Sequence, residues 1–175
     1  MMDRRRALLG PKGEKLYFNE YTGAYYPKVV DFTPKSNSIN NALMGGRYIW
    51  CSELEEVTIR GYTLIGRNGD GGGPFSNCSK LKKLIITYGC TAGNTVIAKN
   101  CPLLQEIQIG SVGHVGYTLY SGSFSNCGGS APSKTMTIYV ADTTTIPLSG
   151  APWGYSGATV IYRSSTTGEI REVPT

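Results

Sequence analysis

The stretch "FSNCSKLKKLII", residues 75–86, decides the fold, because its pattern is written more than once. Aligned on cysteine, "CSELEEVTI" (51–59), "CSKLKKLII" (78–86) and "CPLLQEIQI" (101–109) share one template. Leucine stands three residues after each cysteine (Leu54, Leu81, Leu104). An aliphatic follows at six (Val57, Leu84, Ile107) and isoleucine at eight (Ile59, Ile86, Ile109). A fourth copy starts at Cys127, where "GGSAPSK" adds about three residues before Met136 and Ile138 take the aliphatic slots. Three residues ahead of the cysteines stand Tyr48, Phe75, Ala98 and Phe124; directly ahead stand Trp50, Asn77, Asn100 and Asn126. Successive cysteines lie 27, 23 and 26 residues apart. An active site is built once, so a unit recurring at this interval is structural.

The slots at six and eight alternate with polar neighbours, the period of a strand with one buried face. One such strand cannot bury that face alone. Stacking coils about 4.8 Å apart sets each aliphatic on its counterpart and pairs the backbone with the coils above and below. The outward positions support the register independently. Position five reads Glu56, Lys83, Glu106 and position four reads Glu55, Lys82, Gln105, so signs alternate as a cross-strand ladder prefers. The pattern predicts a mainly β chain folded as a β-solenoid of about four to five coils with irregular N- and C-terminal caps.

The unit "FSNCSKLKKLII" resembles the leucine-rich-repeat variant of the BspA-like family, whose repeats read roughly Phe-x-Asn-Cys-x-x-Leu-x-x-Ile-x-Ile. The resemblance covers about residues 45 to 140. "IPLSGAPWGYSGATVIY" resembles the irregular last coil of such proteins, and "MMDRRRALLG" resembles the opening of proteins from gut bacteria and their phages. Ala98 in place of the aromatic, Trp50 in place of asparagine and the stretched fourth unit depart from the family pattern. The resemblance implies a leucine-rich-repeat solenoid and suggests surface attachment or a phage-associated part.

Composition agrees with a turn-rich β chain: 23 glycines and 12 tyrosines in 175 residues, with few charges. The net charge of +5 owes much to Arg4, Arg5 and Arg6, and no basic stripe interleaves with stacking aromatics, so nucleic acid is not an expected partner. The N-terminus starts like a secretory signal, but "ALLG" runs straight into "PKGEK" without an apolar core. No run approaches a membrane span. The expectation is a soluble chain made in the cytoplasm, reaching a virion or cell surface by a route other than ordinary secretion. Five cysteines in such a chain argue against a disulfide framework.

Three segments follow. Residues 1–44 read as an arm and a capping segment, with "KLYFNEYTGAYYPKVVDF" strand-like and punctuated at "NEYTG". Residues 45–140 are the repeat. Residues 141–175 read as a last irregular coil and a C-terminal hairpin around "TTG" that closes the other edge.

No catalytic, cofactor or metal site is expected. The column Cys51, Cys78, Cys101, Cys127 lies along a line, whereas metal ligands converge on a point, and stacked Cβ atoms about 4.8 Å apart stand wider than a disulfide prefers. Small thiols filling a tight turn are the preferred reading, with Cys90 a further free thiol. Asn77, Asn100 and Asn126 are expected to bond backbone groups of neighbouring coils. "GRNGDGGGPF" lacks the Lys-Ser/Thr of a phosphate loop and the acidic alternation of a calcium loop, and reads as an inserted turn. His114, the only histidine, has no catalytic partner in its motif context.

"GYTL" occurs at 61–64 and again at 116–119, each time leading toward the next Phe-Ser-Asn-Cys. With Tyr88 and Tyr120, Tyr62 and Tyr117 are the candidate partner-binding residues, because tyrosine carries large contact area on few rotors. The same rings could equally pack over the coil edges. The expected function is a non-catalytic binding or structural module that presents a solenoid surface to a protein or glycan. Two alternatives stay open: an enzyme with an unrecognised site near residues 1–44, and a subunit that associates with itself through edge strands.

Overall fold

A computed structural model describes residues 8–33, 48–60, 73–88, 96–116 and 119–173. The chain opens with three short antiparallel strands, β1 (Leu8–Leu9), β2 (Lys15–Asn19) and β3 (Ala24–Pro27). Strands β4 (Val29–Phe32), β5 (Glu56–Ile59) and β6 (Lys83–Ile86) then stack in parallel. The pair β7 (Ala98–Lys99) and β9 (Phe124–Ser125) forms a second small sheet across the coil. Strands β8 (Glu106–Ile109), β10 (Thr135–Val140) and β11 (Thr159–Ser164) complete a six-stranded parallel sheet, ordered β4-β5-β6-β8-β10-β11. The expected mainly β solenoid is the observed fold, with about four turns. No helix occurs among the described residues, and so none long and apolar enough to cross a membrane.

The register follows the template. Val30, Val57, Leu84, Ile107, Met136 and Val160 are successive strand partners, and Ile59, Ile86, Ile109, Ile138 and Tyr162 form the parallel column two residues on. Leu84, Ile86, Ile107 and Met136 are fully buried. Each such aliphatic is worth about 1.5–3 kcal/mol of burial, so the two columns form the core around which each turn closes.

Each turn closes in the same way. The residue before the cysteine adopts positive φ: 60° at Trp50, 59° at Asn77, 56° at Asn100 and 54° at Asn126. Asparagine tolerates this left-handed region better than other side chains, which explains its place in the template. The chain then tightens into Cys-x-x-Leu, with the Leu81 and Leu104 amides donating to the Cys78 and Cys101 carbonyls at 3.1 and 3.2 Å. Leu54, Leu81 and Leu104 are thereby driven fully inside.

Both ends of the stack are sealed. Residues 29–32, read above as capping chain, form the first strand of the sheet, beside β5. Ahead of them the β2–β3 hairpin covers the first turn with buried Tyr26, whose hydroxyl accepts from the Glu53 amide at 3.1 Å. At the other end Trp153, Tyr155 and Tyr162 are buried, and the Tyr155 hydroxyl donates to the Leu104 carbonyl at 2.6 Å. After β11 the chain turns at 165–168 and returns antiparallel through one bridge, Arg163 to Ile170, with the Arg171 amide donating to the Tyr162 carbonyl at 2.9 Å.

Candidate functional site

Cysteine chemistry is the first possibility. Cys51, Cys78, Cys101 and Cys127 are free thiols, all buried. The Cys78 and Cys101 thiols donate to the Tyr48 and Phe75 carbonyls, each at 3.0 Å, so each points into the turn before it. Burial pushes the Cys51 thiol up to about 11 even though the Asn19 amide pulls it down. Cys101 stands at about 12: the neighbouring Cys127 thiol pulls it down, while Cys78 and burial push it up. Cys127 is raised by its Cys101 neighbour and by burial. A thiol that holds its proton this firmly is a poor nucleophile. Among the described residues no three or more His, Cys, Asp or Glu side chains converge as metal ligands.

Much of the charged face pairs within itself. Lys28 pairs with Glu55 at 2.6 Å, Lys82 with the same Glu55 at 3.4 Å, Lys80 with Glu53 at 2.7 Å and Lys83 with Glu106 at 3.1 Å. Arg60 embraces Asp31 at the edge, at 3.0 Å. The Lys28 ammonium hydrogen-bonded to Glu55 holds that carboxyl below its usual range. These partners sit one turn apart, as the alternating signs require.

One expectation is corrected. The asparagines bond each other rather than neighbouring backbone: Asn100 Nδ2 donates to Asn77 Oδ1 at 2.9 Å, and Asn126 Nδ2 donates to Asn100 Oδ1 at 3.2 Å. The left-handed turn aims the side chain outward along the stack, where its nearest partner is the same residue one turn away.

Trp50 heads this column in the slot that the other turns give to asparagine. A bulky side chain in the left-handed region costs about 1–2 kcal/mol, and the ring stays largely outside the core, since Trp50 is 55% exposed. A shallow, open groove of 380 Å³ runs from Trp50 past Asn77, Ser79, Asn100, Pro102 and Asn126. On the other side of the ring a 630 Å³ concavity is lined by Phe18, Asn19, Glu20, Tyr21, Trp50 and Ser52. Phe18 and Tyr25 are strand partners on the outer face of the hairpin, rings 5.1 Å apart. Their exposures are 46% and 51%, and that of Tyr21 is 58%. Asn19 underpins this end from inside: buried, it donates to the Ile49 carbonyl at 2.7 Å and accepts from the Tyr21 amide at 2.9 Å.

Of the residues expected to meet a partner, Tyr62 and Tyr117 lie outside the described residues, as do Cys90 and residues 66–72 of the glycine-rich turn. Tyr88 is half-buried, with its ring 4.0 Å from that of His114, so the histidine serves as a ring partner. Tyr120 is half-buried, and a Cβ at Gly122 would meet its ring at 3.1 Å. These two rings belong to different turns. The sequence reading missed Phe18, Tyr21, Tyr25 and Trp50 as a group. The available signal was a tryptophan in an asparagine slot.

At the far end a 320 Å³ cleft lies between Val115, Leu119, Val140, Leu148 and Trp153, and none of its described lining residues is ionisable. No family model, no curated protein and no solved structure matches this chain.

Proposed function

We propose that the chain is a non-catalytic binding module of the BspA-like leucine-rich-repeat type, presenting the side of its solenoid to a protein or glycan partner at a cell surface or on a virion. One observation carries this reading: Phe18, Tyr21, Tyr25 and Trp50 stand about half exposed at the same end of the stack. The core needs none of these ring surfaces, and exposed apolar area concentrated at one place marks a contact surface. Aromatic rings suit that role because they bring large area at low entropic cost. Among the described residues the four column thiols are shut inside and most charges of the strand face are paired, which leaves little there for chemistry.

The test is a binding screen of the whole chain against arrayed glycans and cell-surface proteins. A specific hit that disappears in Phe18→Ser/Tyr25→Ser, with the folding transition retained, supports the module. A chain that binds nothing on either array counts against it.

Self-association is the second reading, favoured by one observation: β4 ends the sheet order and its Val29 is 56% exposed. Light scattering over a wide concentration range decides it, because a monodisperse monomer rules it out.

A further inference from the structure

We infer that the groove along the asparagine ladder, walled by Trp50, binds an uncharged polysaccharide lying lengthwise along the stack. The inference rests on the binding-module reading and names the ligand class of its surface.

The hydrogen-bonding capacity comes first. A side-chain amide offers two donors and two acceptor positions. Asn100 spends one donor on Asn77 and one acceptor position on Asn126. It keeps one of each at an exposed site. The ladder thus repeats a donor and an acceptor at every rise, about 4.8 Å apart. Asn77, Asn100 and Asn126 together with Trp50 span three rises, roughly 14 Å. A ligand matched to that strip has hydroxyl groups along its length.

Charge narrows the class. None of Trp50, Asn77, Ser79, Asn100, Pro102 and Asn126 is ionisable. On the adjacent turns Lys80 pairs with Glu53 and Lys82 with Glu55, and Lys99, next to Asn100, does not line the groove. Phosphate, sulfate or carboxylate on the ligand would find no cation in the groove lining, and a neutral sugar needs none.

The ring supplies the rest. A pyranose has one face of C–H bonds and a rim of hydroxyls, so it stacks on an indole while its rim meets amides. Trp50 is exposed and sits in a strained backbone conformation that asparagine would occupy with less strain. More than half of the ring faces solvent, and that surface is free to stack on a ligand. The groove is assembled from four successive turns, lies open along its length, and shares Trp50 with the concavity beside Phe18 and Tyr21. It therefore receives the middle of a chain rather than its end.

The experiment is electrophoresis of the whole chain in native gels cast with neutral polysaccharides (a mixed-linkage β-glucan, a xylan, a galactomannan), with titration of the same polymers followed by tryptophan emission. At least one polymer is expected to retard the chain and shift to the blue the emission of Trp50, since Trp153 is already buried. Trp50→Asn extends the ladder and relieves the strain, so it is expected to unfold at an equal or higher temperature while its retardation weakens by roughly tenfold. Asn100→Ala is expected to weaken retardation as well.

Three results overturn the inference: no neutral polymer retards the chain, Trp50→Asn is retarded like the parent, or the partner proves to be a protein or an acidic polymer. In the last two cases the binding-module reading stands. If the array screen also returns nothing, both fall.

Discussion

Asn100 donates its side-chain hydrogen bond to Asn77 at 2.9 Å, although 23 residues of chain separate the two. Both residues hold φ near 56–59°, so one residue type answers two demands: it tolerates the turn and joins the rungs. Replacing Asn100 by alanine loses two amide contacts and leaves a Cβ in the left-handed region without the polar side chain that eases it there. The expected cost is about 2 kcal/mol. Asn100→Gly loses the same contacts but tolerates the backbone, so it should cost about 1 kcal/mol less. Urea denaturation of the two variants checks this, and equal losses would show that φ is not the constraint.

Gly73 marks the closest approach between turns. A Cβ there would stand 2.2 Å from the Val96 carbonyl oxygen and 2.4 Å from that of Ile97, both backbone atoms that cannot swing away. Gly73→Ala is expected to lose about 3 kcal/mol by forcing two coils apart. Gly129→Ala meets nothing within 4 Å and should stay within about 0.5 kcal/mol of the parent. Thermal melts of the pair separate close packing from a general glycine effect.

Lys83 lies between Glu56 and Glu106 in register and pairs with Glu106 at 3.1 Å. Lys83→Glu sets three carboxylates in a row on adjacent strands. The expected loss at low ionic strength is about 1 kcal/mol, shrinking as salt screens the repulsion. A loss that stays constant up to molar salt would point to packing of the lysine stem instead.

The thiol column links stability to alkaline pH. Cys51 and Cys101 keep their protons to about 11 and about 12, against an ordinary value of 9.0 that the unfolded chain adopts. Raised values in the folded state mean that the contribution is complete below pH 9 and is lost as pH rises through 11 and 12. Between pH 9 and pH 10 stability should fall by roughly 1 kcal/mol for each of these thiols. Denaturation midpoints measured from pH 7 to pH 10 test the slope. A thiol reagent at pH 8 should leave the four column cysteines unlabelled until the chain is unfolded.

Much of this was legible in the sequence because parallel in-register stacking repeats each residue's environment in every turn. Leu54, Leu81 and Leu104 meet the same surroundings, so a spacing in the text becomes a column in space. The caps obey no such rule. Asn19 reaches Cys51 and Tyr26 reaches Glu53 across about thirty residues, through contacts made once, and nothing in a repeat announces them. The last rung was legible only as an irregular coil because "SGAPWGYSGA" replaces the template, leaving the pair Val160 and Tyr162 to mark the strand beside Met136 and Ile138. Trp50 was visible as a departure, but its exposure follows from the outward aim of the asparagine column, which only the side-chain ladder reveals.

That ladder also governs where the protein is free to change. An interior rung such as Asn100 answers to a neighbour above and another below, so a new side chain there must suit both. Trp50 answers to one. Novelty can therefore enter such a stack at its first rung without disturbing the rungs inside. If the terminal turn were later duplicated in tandem, the tryptophan would become an interior rung, pressed between two copies of the column it once bordered. Stacks of this kind can lengthen freely, but their inventions stay at the ends.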